Sequence, residues 1–555
     1  MRSCTASPRP SRRPAPASSG GSVGFDEGAW WRDAVVYQVY PRSFADANGD
    51  GEGDLPGALS RLDHLADLGV DAVWLSPFYP SPMADGGYDV ADHRDVDPRY
   101  GTLADFDAYV EAATARGIKV IVDIVPNHCS ARHPWFTRAL AAGPGSPERD
   151  RFVFRDEPNN WQSMFGGPAW TRVEDGQWYL HLFDSAQPDW NWRHPDVVAL
   201  FEDVLRFWLD RGVAGFRIDV AAMLFKQDGL PDVVPGSQGA PLAPGVAAVP
   251  YEHQPELLEL YRSWRKILAS YPGPRGTVAE IWFGDPAQAR PYLAGDGLAQ
   301  LFGFRLMPLP WSAEEFRVVV EESYRLARES GGSIPWVLGN HDVPRMATRY
   351  GIDQDLVRAP TADVLLGRVE VDRELGLRRA RAAALLLLAL PGAAYIYQGD
   401  ELGLPEHLDL PAKARQDPMF ERTGRAFIGR DGCRVPLPWS GDAPPYGFGG
   451  GAWLPQPQDW GPLTVAAQRD DPASTLNLYR AALAIRRAHP ALGEGDLTWR
   501  DAPPGVLALT REPGFTLMVN FGPDPVPLPA HHDVLLASGP LDGNLLPPDT
   551  GVWLA

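Results

Sequence analysis

The sequence predicts an α/β protein: a (β/α)8 barrel with an irregular domain inserted after its third strand and an antiparallel β domain at its C-terminus. Two observations lead to this fold class. Along most of the 555 residues, short apolar segments alternate with longer segments that show helical spacing of leucines. Acidic residues also stand at the ends of several apolar segments, which is where barrels of this class carry their chemistry.

Eight apolar segments are predicted as strands, and most are separated by segments of helical periodicity. The predicted strands are 34–44, 71–77, 119–128, 215–220, 277–282, 297–307, 334–345 and 393–399. The predicted helices are 56–69, 103–116, 194–211, 255–271, 312–329, 373–390 and 474–489. Because parallel strands need crossover connections, which are usually helices, this alternation favours a parallel barrel.

The segments outside this alternation of strands and helices set the expected domain limits. Residues 1–24 are rich in Pro, Ser and Arg and are predicted to be a disordered tail. The barrel is expected at 25–128 and 195–490, interrupted by a Trp-, Pro- and Gly-rich insertion at 129–194. Residues 491–555 have β-like character and are expected to form the C-terminal domain.

Composition limits the classes of binding partner and the cellular compartment that we expect. The formal net charge of −20 argues against nucleic acid and anionic membrane, so a small molecule is the expected partner. No apolar run is long enough to span a membrane, and the N-terminus lacks the apolar core of a secretion signal. The three cysteines, Cys4, Cys129 and Cys433, favour a reducing compartment, and we expect a cytoplasmic protein.

The segment Gly-Phe-Arg-Ile-Asp-Val at 215–220 carries the first chemical signal. In a strand, residues i and i+2 point to the same face, so Arg217 and Asp219 should lie side by side. A neighbouring guanidinium lowers the pKa of a carboxyl group and keeps it ionised, as a glycosidase nucleophile must be. A structural ion pair is the alternative for this segment alone.

Three acids stand at predicted strand ends. Asp219 ends the fourth strand, Glu280 the fifth and Asp342 the seventh. Retaining glycoside hydrolysis uses one carboxylate as nucleophile and one carboxylic acid as proton donor. Glu280 lies between Ala279 and Ile281, and apolar surroundings would raise its pKa toward that of a general acid. Asp342 is then free to bind sugar hydroxyls and stabilise positive charge on the ring. The alternative for each acid is a salt bridge at the rim.

Two histidines, His128 and His341, each follow an asparagine near a strand end. They are candidates to donate hydrogen bonds to sugar hydroxyls. A packed barrel histidine is one alternative and a metal ligand another, although no metal-binding spacing supports the latter.

These segments resemble a known family. The motifs are DIVPNH at 123–128, GFRIDV at 215–220, AEIW at 279–282, GNHD at 339–342, VWLSP at 73–77 and YQGDELG at 397–403. They resemble the conserved regions of the α-amylase superfamily, glycoside hydrolase family 13, and its flanking motifs. The segment QPDWN at 187–191 is similar to the QPDLN signature of the oligo-1,6-glucosidase and α-glucosidase branch, with Trp190 in place of the usual leucine.

The resemblance implies roles for individual residues. Asp219 would be the nucleophile, Glu280 the acid/base and Asp342 the transition-state stabiliser. The first sugar subsite would be lined by Asp85, Tyr88, His128, Gln187, Arg217 and His341. Arg434 falls where relatives place an arginine paired with the aspartate that matches Asp85, and such a pair closes the pocket and implies cleavage from the chain end. Trp190 changes the bulk near the pocket wall.

A glycine-rich segment at 46–54 resembles the first nine positions of an EF-hand loop. Its oxygen-bearing residues are Asp46, Asn48, Asp50, Glu52 and Asp54. The twelfth position is Gly57, so the usual bidentate glutamate is missing and a polar turn is the alternative. Related α-glucosidases hold an ion in a similar loop. We therefore expect a structural Ca²⁺ (or Mg²⁺), bound by the side chains of Asp46, Asn48, Asp50 and Asp54 and by the backbone carbonyl of Glu52, and no cofactor for the chemistry.

The expected activity is that of a retaining, exo-acting α-glucosidase releasing α-glucose from short α-glucosides. The alternative is a glucosyl transferase or isomerase acting on sucrose or maltose through the same covalent intermediate. The segment GDELGLPE at 399–406 is closer to the hydrolases. Val220 resembles α-1,6-acting members, whereas the Gly/Pro/Ala-rich loop before Pro250 resembles α-1,4-acting ones, so the linkage stays open. A catalytically inactive binding subunit is disfavoured because all three acids are present.

Overall fold

The computed structural model describes residues 29–234, 249–283, 286–357 and 367–555. The predicted tail at 1–24 and most of the Gly/Pro/Ala-rich loop lie outside the described residues. Within the described ranges, no helix is both long enough and apolar enough to cross a membrane.

The strands of the barrel and of the inserted segment follow one another in chain order. They are β1 Val35–Val39, β2 Ala72–Leu75, β3 Lys119–Ile124, β4 Phe154–Arg155, β5 Trp170–Arg172, β6 Trp178–Leu180, β7 Gly215–Ile218, β8 Gly276–Glu280, β9 Gln300–Phe302, β10 Trp336–Val337 and β11 Ala394–Tyr397. In the described chain, eight of these form one sheet in the order β10-β11-β1-β2-β3-β7-β8-β9, and all its strand pairs are parallel. A parallel bridge between Gln300 and Ser333 joins β9 to the residues before β10, so the sheet closes into the predicted barrel.

All eight barrel strands are shorter than the apolar pattern predicts, and two of them differ most. The sixth was expected at 297–307 and the seventh at 334–345, but β9 and β10 cover only a few residues each. In the seventh, the backbone amide of Asp342 donates to the side-chain oxygen of Asn340 at 2.8 Å, an Asx turn that bends the chain. The residues that follow these two strands therefore lie in loops at the rim of the barrel and not in its wall.

Helices cover the outside of the barrel. They are α1 Leu55–Ser60, α2 Leu62–Leu68, α3 Leu103–Ala115, α4 Pro134–Ala142, α5 Pro195–Asp210, α6 Glu256–Ala269, α7 Pro286–Leu293, α8 Ala313–Ser330, α9 Met346–Arg349, α10 Arg373–Ala389, α11 Pro418–Arg422, α12 Val465–Arg469 and α13 Thr475–Ala488. The single helix predicted at 56–69 is divided at Arg61, whose ψ of 4° leaves the helical region. Helix α7 was not predicted, because it is short and contains Pro291.

The inserted segment between β3 and α5 carries helix α4 and a three-stranded antiparallel sheet in the order β4-β6-β5. An antiparallel bridge between His128 and Asp189 brings its two ends together at the rim of the barrel. Trp161 and Trp170 pack in one apolar cluster with Tyr251, which belongs to the loop after β7. The insertion thus rests on the end of the barrel where β3 and β7 terminate.

The C-terminal strands form the predicted antiparallel sheet. They are β12 Thr498–Trp499, β13 Val506–Arg511, β14 Phe515–Asn520, β15 Val526–Pro527, β16 Val534–Ala537, β17 Leu545–Leu546 and β18 Thr550–Leu554. The main sheet has the order β12-β13-β14-β18-β16, and β15 pairs with β17. The Trp553 indole donates to the carbonyl of Leu385 at 3.1 Å, which ties this sheet to helix α10 of the barrel.

Candidate active site

Arg217 is the centre of a carboxylate cluster at the carboxyl ends of three adjacent strands. Its Nη1 donates to Asp219 at 2.5 Å and to Asp123 at 3.0 Å, and its Nη2 donates to Glu280. The guanidinium is fully buried. The predicted pairing of Arg217 with Asp219 on one face of the strand is confirmed. Asp123 was missed as a site residue, although strand alternation within DIVPNH gives it the same face as the cluster.

The pKa of Asp219 is shifted in the direction opposite to that expected from the sequence. Burial raises the pKa of Asp219 well above its usual value, Arg217 opposes this, and the carboxylates of Glu280 and Asp123 raise the pKa further. The expectation that Arg217 alone would lower the pKa of Asp219 is therefore wrong. A single guanidinium faces three buried carboxylates, so its charge is shared among them.

Glu280 does not lie in apolar surroundings as its chain neighbours suggested. Its carboxylate accepts hydrogen bonds from Arg217 and, at 3.1 Å, from the Trp282 indole. Ala279 and Ile281 precede and follow it along the strand, so their side chains point to the opposite face. The apolar sequence context of Glu280 thus says nothing about the surroundings of its carboxylate.

Asp342 lies among cationic partners. Its Oδ1 accepts hydrogen bonds from Arg430 at 2.9 Å and from Arg434 at 2.8 Å, and its Oδ2 is 3.2 Å from Nε2 of His341. Burial alone would raise the pKa of Asp342, but His341, Arg430 and Arg434 outweigh it and hold this pKa well below the usual value. Asp342 is therefore ionised throughout the neutral range.

The ion pair predicted between Asp85 and Arg434 forms with a different arginine. Nη2 of Arg430 donates to Asp85 at 2.8 Å, and its Nε donates to Asp417 at 2.7 Å. Arg434 instead donates from Nε to the His341 carbonyl at 2.9 Å, in addition to its bond with Asp342. The two arginines flank a single 3-10 turn, Asp431–Cys433, which is too short for sequence spacing to tell which of them reaches Asp85.

A stacked ring and a polar contact at Nδ1 hold His341 in place. The Tyr88 ring stacks on it at 5.2 Å, and the Tyr88 hydroxyl donates to Asp123 at 3.0 Å. Nε2 of Gln38 is 2.7 Å from Nδ1 of His341. Burial lowers the pKa of His341 to about 3, although Asp342 opposes this. The imidazole is therefore neutral at physiological pH.

His128, Gln187 and Asp85 form a row on the side of the inserted segment. Nε2 of Gln187 donates to Asp85 at 3.1 Å and lies 3.1 Å from Nε2 of His128. Burial and the charge of Lys226 lower the pKa of His128 to about 3. Of the seven predicted sugar-binding residues, four contact an acid of the site directly: Tyr88, Arg217, His341 and Arg434. The other three contact one another, and Asp85 reaches Asp342 through Arg430.

The predicted metal-binding loop uses most of its oxygens for its own backbone. Asp46 accepts from the amides of Gly49 and Gly51, and Asp54 accepts from those of Ala47 and Asn48. In the same way Asn48 accepts from Asp50 N, and Asp50 from Glu52 N. The Glu52 carboxylate instead binds Arg42 at 2.7 Å. Across the described ranges, no group of three or more His, Cys, Asp or Glu side chains is arranged to hold a metal ion.

Trp190 does not change the wall of the carboxylate pocket. It is fully buried and stacks on Phe152, with ring centres 4.6 Å apart. It lines a separate cavity of about 520 Å³ between the inserted segment and the barrel, together with Asn191, Lys226 and Gln227. The prediction that Trp190 alters bulk at the pocket wall is therefore wrong.

Comparison with known proteins supports the grouping of these residues. The model of the alpha-amylase catalytic domain matches residues 38–495. A probable alpha-glucosidase from Rhizobium meliloti (strain 1021) is 39% identical over 508 residues, 87% of each chain. An oligo-1,6-glucosidase from Parageobacillus thermoglucosidasius is 35% identical over 522 residues, 86% of this chain and 87% of the relative. The crystal structure of an alpha-glucosyl transfer enzyme, XgtA, superposes with a TM-score of 0.81 at 38% identity, covering 95% of this chain and 99% of that one.

The family match extends over the barrel strands, the inserted segment and helix α13, and the relatives align over most of both chains. The chain therefore belongs to the alpha-amylase family, glycoside hydrolase family 13.

Proposed function

We propose that the chain is a retaining, exo-acting α-glucosidase that releases α-glucose from the non-reducing end of short α-glucosides. The observation that carries this proposal is the pair Asp219 and Glu280, which share one buried guanidinium, that of Arg217. Two carboxyl groups on adjacent strands of one pocket are what retaining hydrolysis requires. The relatives named alpha-glucosidase and oligo-1,6-glucosidase agree with it.

In the proposed reaction, Asp219 attacks the anomeric carbon while Glu280 donates a proton to the leaving oxygen. Asp219 is only 5% exposed, so its ionised form is poorly hydrated, and the hydrogen bond from Arg217 keeps it in place. After the aglycone leaves, Glu280 takes a proton from water, which then attacks the glucosyl–Asp219 ester. Two displacements at the same carbon restore the α configuration.

The remaining residues are proposed to bind one terminal glucose. Asp342 is held ionised by its arginines and would stabilise positive charge on the sugar ring. The ion pair of Asp85 with Arg430, together with Gln187, His128 and Tyr88, would close the far end of this subsite. A pocket closed behind one glucose accepts only a chain end, which is the reason for proposing exo-cleavage.

The proposal is tested by incubating the purified protein separately with maltose, isomaltose, sucrose and trehalose and following all products over time. Glucose as the main early product, released as the α-anomer, would support the hydrolase. Comparison of maltose with isomaltose would identify the linkage. Val220 follows the nucleophile and resembles the residue of α-1,6-acting members. Val220→Thr, which keeps a β-branched side chain at this φ of 45°, would test its effect on this ratio.

A glucosyl transferase or isomerase is the second candidate, favoured by the likeness to an alpha-glucosyl transfer enzyme. The same glucosyl–Asp219 ester would be attacked by a sugar hydroxyl in place of water. New disaccharides as the main early product in the incubations would replace the first proposal with this one.

We further propose a structural Ca²⁺ (or Mg²⁺) at the loop 46–54. It is supported by the alternation of oxygen-bearing residues and by the left-handed φ of 93° at Gly51, the sixth position. The chemistry requires no ion there.

We also propose that the domain limits follow the sequence prediction (25–128 with 195–490, 129–194 and 491–555). The free thiols of Cys129 and Cys433 support a cytoplasmic location.

A further inference from the structure

Lys226 is a buried lysine seven residues after Asp219, and its side chain is only 3% exposed. The chain has 51 basic residues, of which four are lysines: Lys119, Lys226, Lys266 and Lys413. In a chain that otherwise uses arginine, a buried lysine indicates a place that suits a compact ammonium and not a planar guanidinium.

The ammonium of Lys226 has three close acceptors for its three hydrogens, and the Leu224 carbonyl lies farther away, at 3.5 Å. Nζ donates to Asp189 Oδ2 at 2.7 Å, to Asn127 Oδ1 at 2.8 Å and to the Met223 carbonyl at 2.5 Å. These acceptors belong to the end of β3, to the end of the inserted segment and to the loop after the nucleophile. Lys226 therefore joins the three chain segments that carry His128, Gln187 and Asp219.

These contacts fix the side-chain amide of Asn127. Lys226 can only donate, so the amide oxygen of Asn127 must face it, and the amide nitrogen then faces Asp189 Oδ2 at 3.1 Å. The same nitrogen lies 3.2 Å from Nδ1 of His128. Rotating the amide would place a donor against the ammonium and an acceptor against the carboxylate. Its nitrogen is thus held as a donor toward His128.

His128 lies between two amide nitrogens, those of Asn127 and Gln187, and a neutral imidazole accepts at only one of its nitrogens. Asn127 is fixed by two charged groups. Gln187 does not depend on His128, because its oxygen accepts from Asp184 N at 2.9 Å and its nitrogen donates to Asp85. Both amide nitrogens are thus held as donors, and a neutral ring accepts from only one of them. We infer that it accepts from Asn127, whose amide is fixed by two charged groups, so that Nδ1 is the acceptor and the hydrogen is on Nε2, next to Gln187 and Asp85. A hydrogen bond with the Tyr88 backbone also involves this ring.

We propose that Lys226 is a positioning residue that fixes His128 in its Nε2–H tautomer and thereby aims a hydrogen-bond donor into the sugar pocket. The role of that donor in turnover rests on the proposed function. The charge of Lys226 also contributes, after burial, to lowering the pKa of His128, which favours the neutral imidazole that a single tautomer requires.

The 520 Å³ cavity gives experimental access to this lysine. Lys226 lines it together with Trp190, and its rim includes the exposed residues Gln227 and Asp228. A truncated side chain at position 226 would thus leave a space that a small amine can reach from solvent.

The first experiment measures hydrolysis of an aryl α-glucoside by Lys226→Met, with Lys266→Met, an exposed lysine on α6, as the matched control. We expect kcat/KM to fall about 10- to 100-fold for Lys226→Met and to stay unchanged for the control. In a His128→Asn background, Lys226→Met should cause no further loss, because Lys226 acts through His128. Additive losses would assign Lys226 a structural role and overturn the proposal.

Chemical rescue separates charge from packing. Propylammonium should restore part of the activity of Lys226→Ala, whereas propanol, of similar shape but without the charge, should not. Equal rescue by both compounds, or by neither, would contradict the proposal.

Nitrogen-15 spectra of histidine-labelled protein test the tautomer without using activity, with the His128 signals identified by their loss in His128→Asn. We expect a protonated Nε2 and an unprotonated Nδ1 in the native protein, and a change of these signals in Lys226→Met. A proton on Nδ1 would overturn the inference even if Lys226→Met does not fold. If the native protein cleaves no α-glucoside but shows the expected tautomer, the proposed function fails and the positioning role stands.

Discussion

Arg430 donates to Asp85 across 2.8 Å and so connects the segment after the last barrel strand with the loop after β2. The same guanidinium also binds Asp342 and Asp417. The closed end of the proposed glucose subsite depends on this guanidinium, because its removal would leave Asp85 and Asp417 without the cation that they contact and Asp342 with one cationic partner fewer.

Arg430→Ala is therefore expected to lower kcat/KM by about 100-fold, because Asp85 and Asp342 would lose the guanidinium that holds them in place in the proposed subsite. Arg425→Ala is the control, because Arg425 pairs with Glu421 on the exposed surface and should be nearly neutral. Steady-state kinetics on an aryl α-glucoside would measure both. Equal effects of the two variants would remove Arg430 from the site.

Asp219→Asn is expected to abolish turnover, with a loss of about 1,000-fold or more, because an amide cannot form the glycosyl ester. The protein should still fold, since the amide oxygen can accept the hydrogen bond from Arg217. Thermal unfolding and kinetics on the same sample would separate loss of chemistry from loss of structure. Turnover that survives in a folded Asp219→Asn protein would disprove the assignment of the nucleophile.

The pH dependence of kcat/KM follows from the carboxylate cluster. Asp219 attacks only when ionised, and its pKa is raised by burial and by its acidic neighbours. Activity should therefore decline with falling pH already above the pKa of about 3.9 of an ordinary aspartate. Asp123→Asn removes one of the charges that raise the pKa of Asp219. The acidic limb of the kcat/KM profile of this variant should therefore move to lower pH, whatever happens to the maximal rate. Asp210→Asn, on the end of α5, should not move it, and an unchanged limb in Asp123→Asn would contradict the account.

Much of the cluster could be predicted from sequence because strand geometry is regular. The side-by-side position of Arg217 and Asp219 follows from the two-residue repeat of a strand, and the repeat also explains why Ala279 and Ile281 misled about Glu280. The choice between Arg430 and Arg434 could not be predicted, because they flank a single 3-10 turn that is too short to show a periodic pattern in the sequence. Helix α7 was missed for a similar reason: its proline and its short length hide the helical period.

Removal of the proposed ion should act on stability and not on chemistry. The loop 46–54 packs against the C-terminal part of the barrel, where the Trp453 amide donates to the Gly51 carbonyl at 2.9 Å and the Trp453 ring lies 3.8 Å from the Arg42 guanidinium. A chelator should lower the thermal midpoint while leaving kcat at room temperature unchanged, and added Ca²⁺ should restore the midpoint. Asp50→Ala, an exposed change in the loop, should abolish the response to the chelator. A midpoint that ignores both chelator and added Ca²⁺ would contradict an ion in this loop.

A buried acid away from the pocket predicts how stability changes with pH. Burial raises the pKa of Asp400 to about 7, with Arg345 opposing, whereas an aspartate in the unfolded chain has a pKa of about 3.9. The folded state therefore binds this proton more tightly, so the stabilisation is complete below about pH 4 and is lost as the pH rises through about 7.

Asp400→Asn stays neutral at every pH and can still accept from the Tyr397 amide, as Asp400 does at 3.1 Å. Its thermal midpoint, relative to that of the native protein, should be higher at pH 8 than at pH 5. Asp67→Asn, on the exposed side of α2, should show no such difference. A midpoint difference for Asp400→Asn that is the same at both pH values, or larger at pH 5, would show that Asp400 is already ionised in the folded protein.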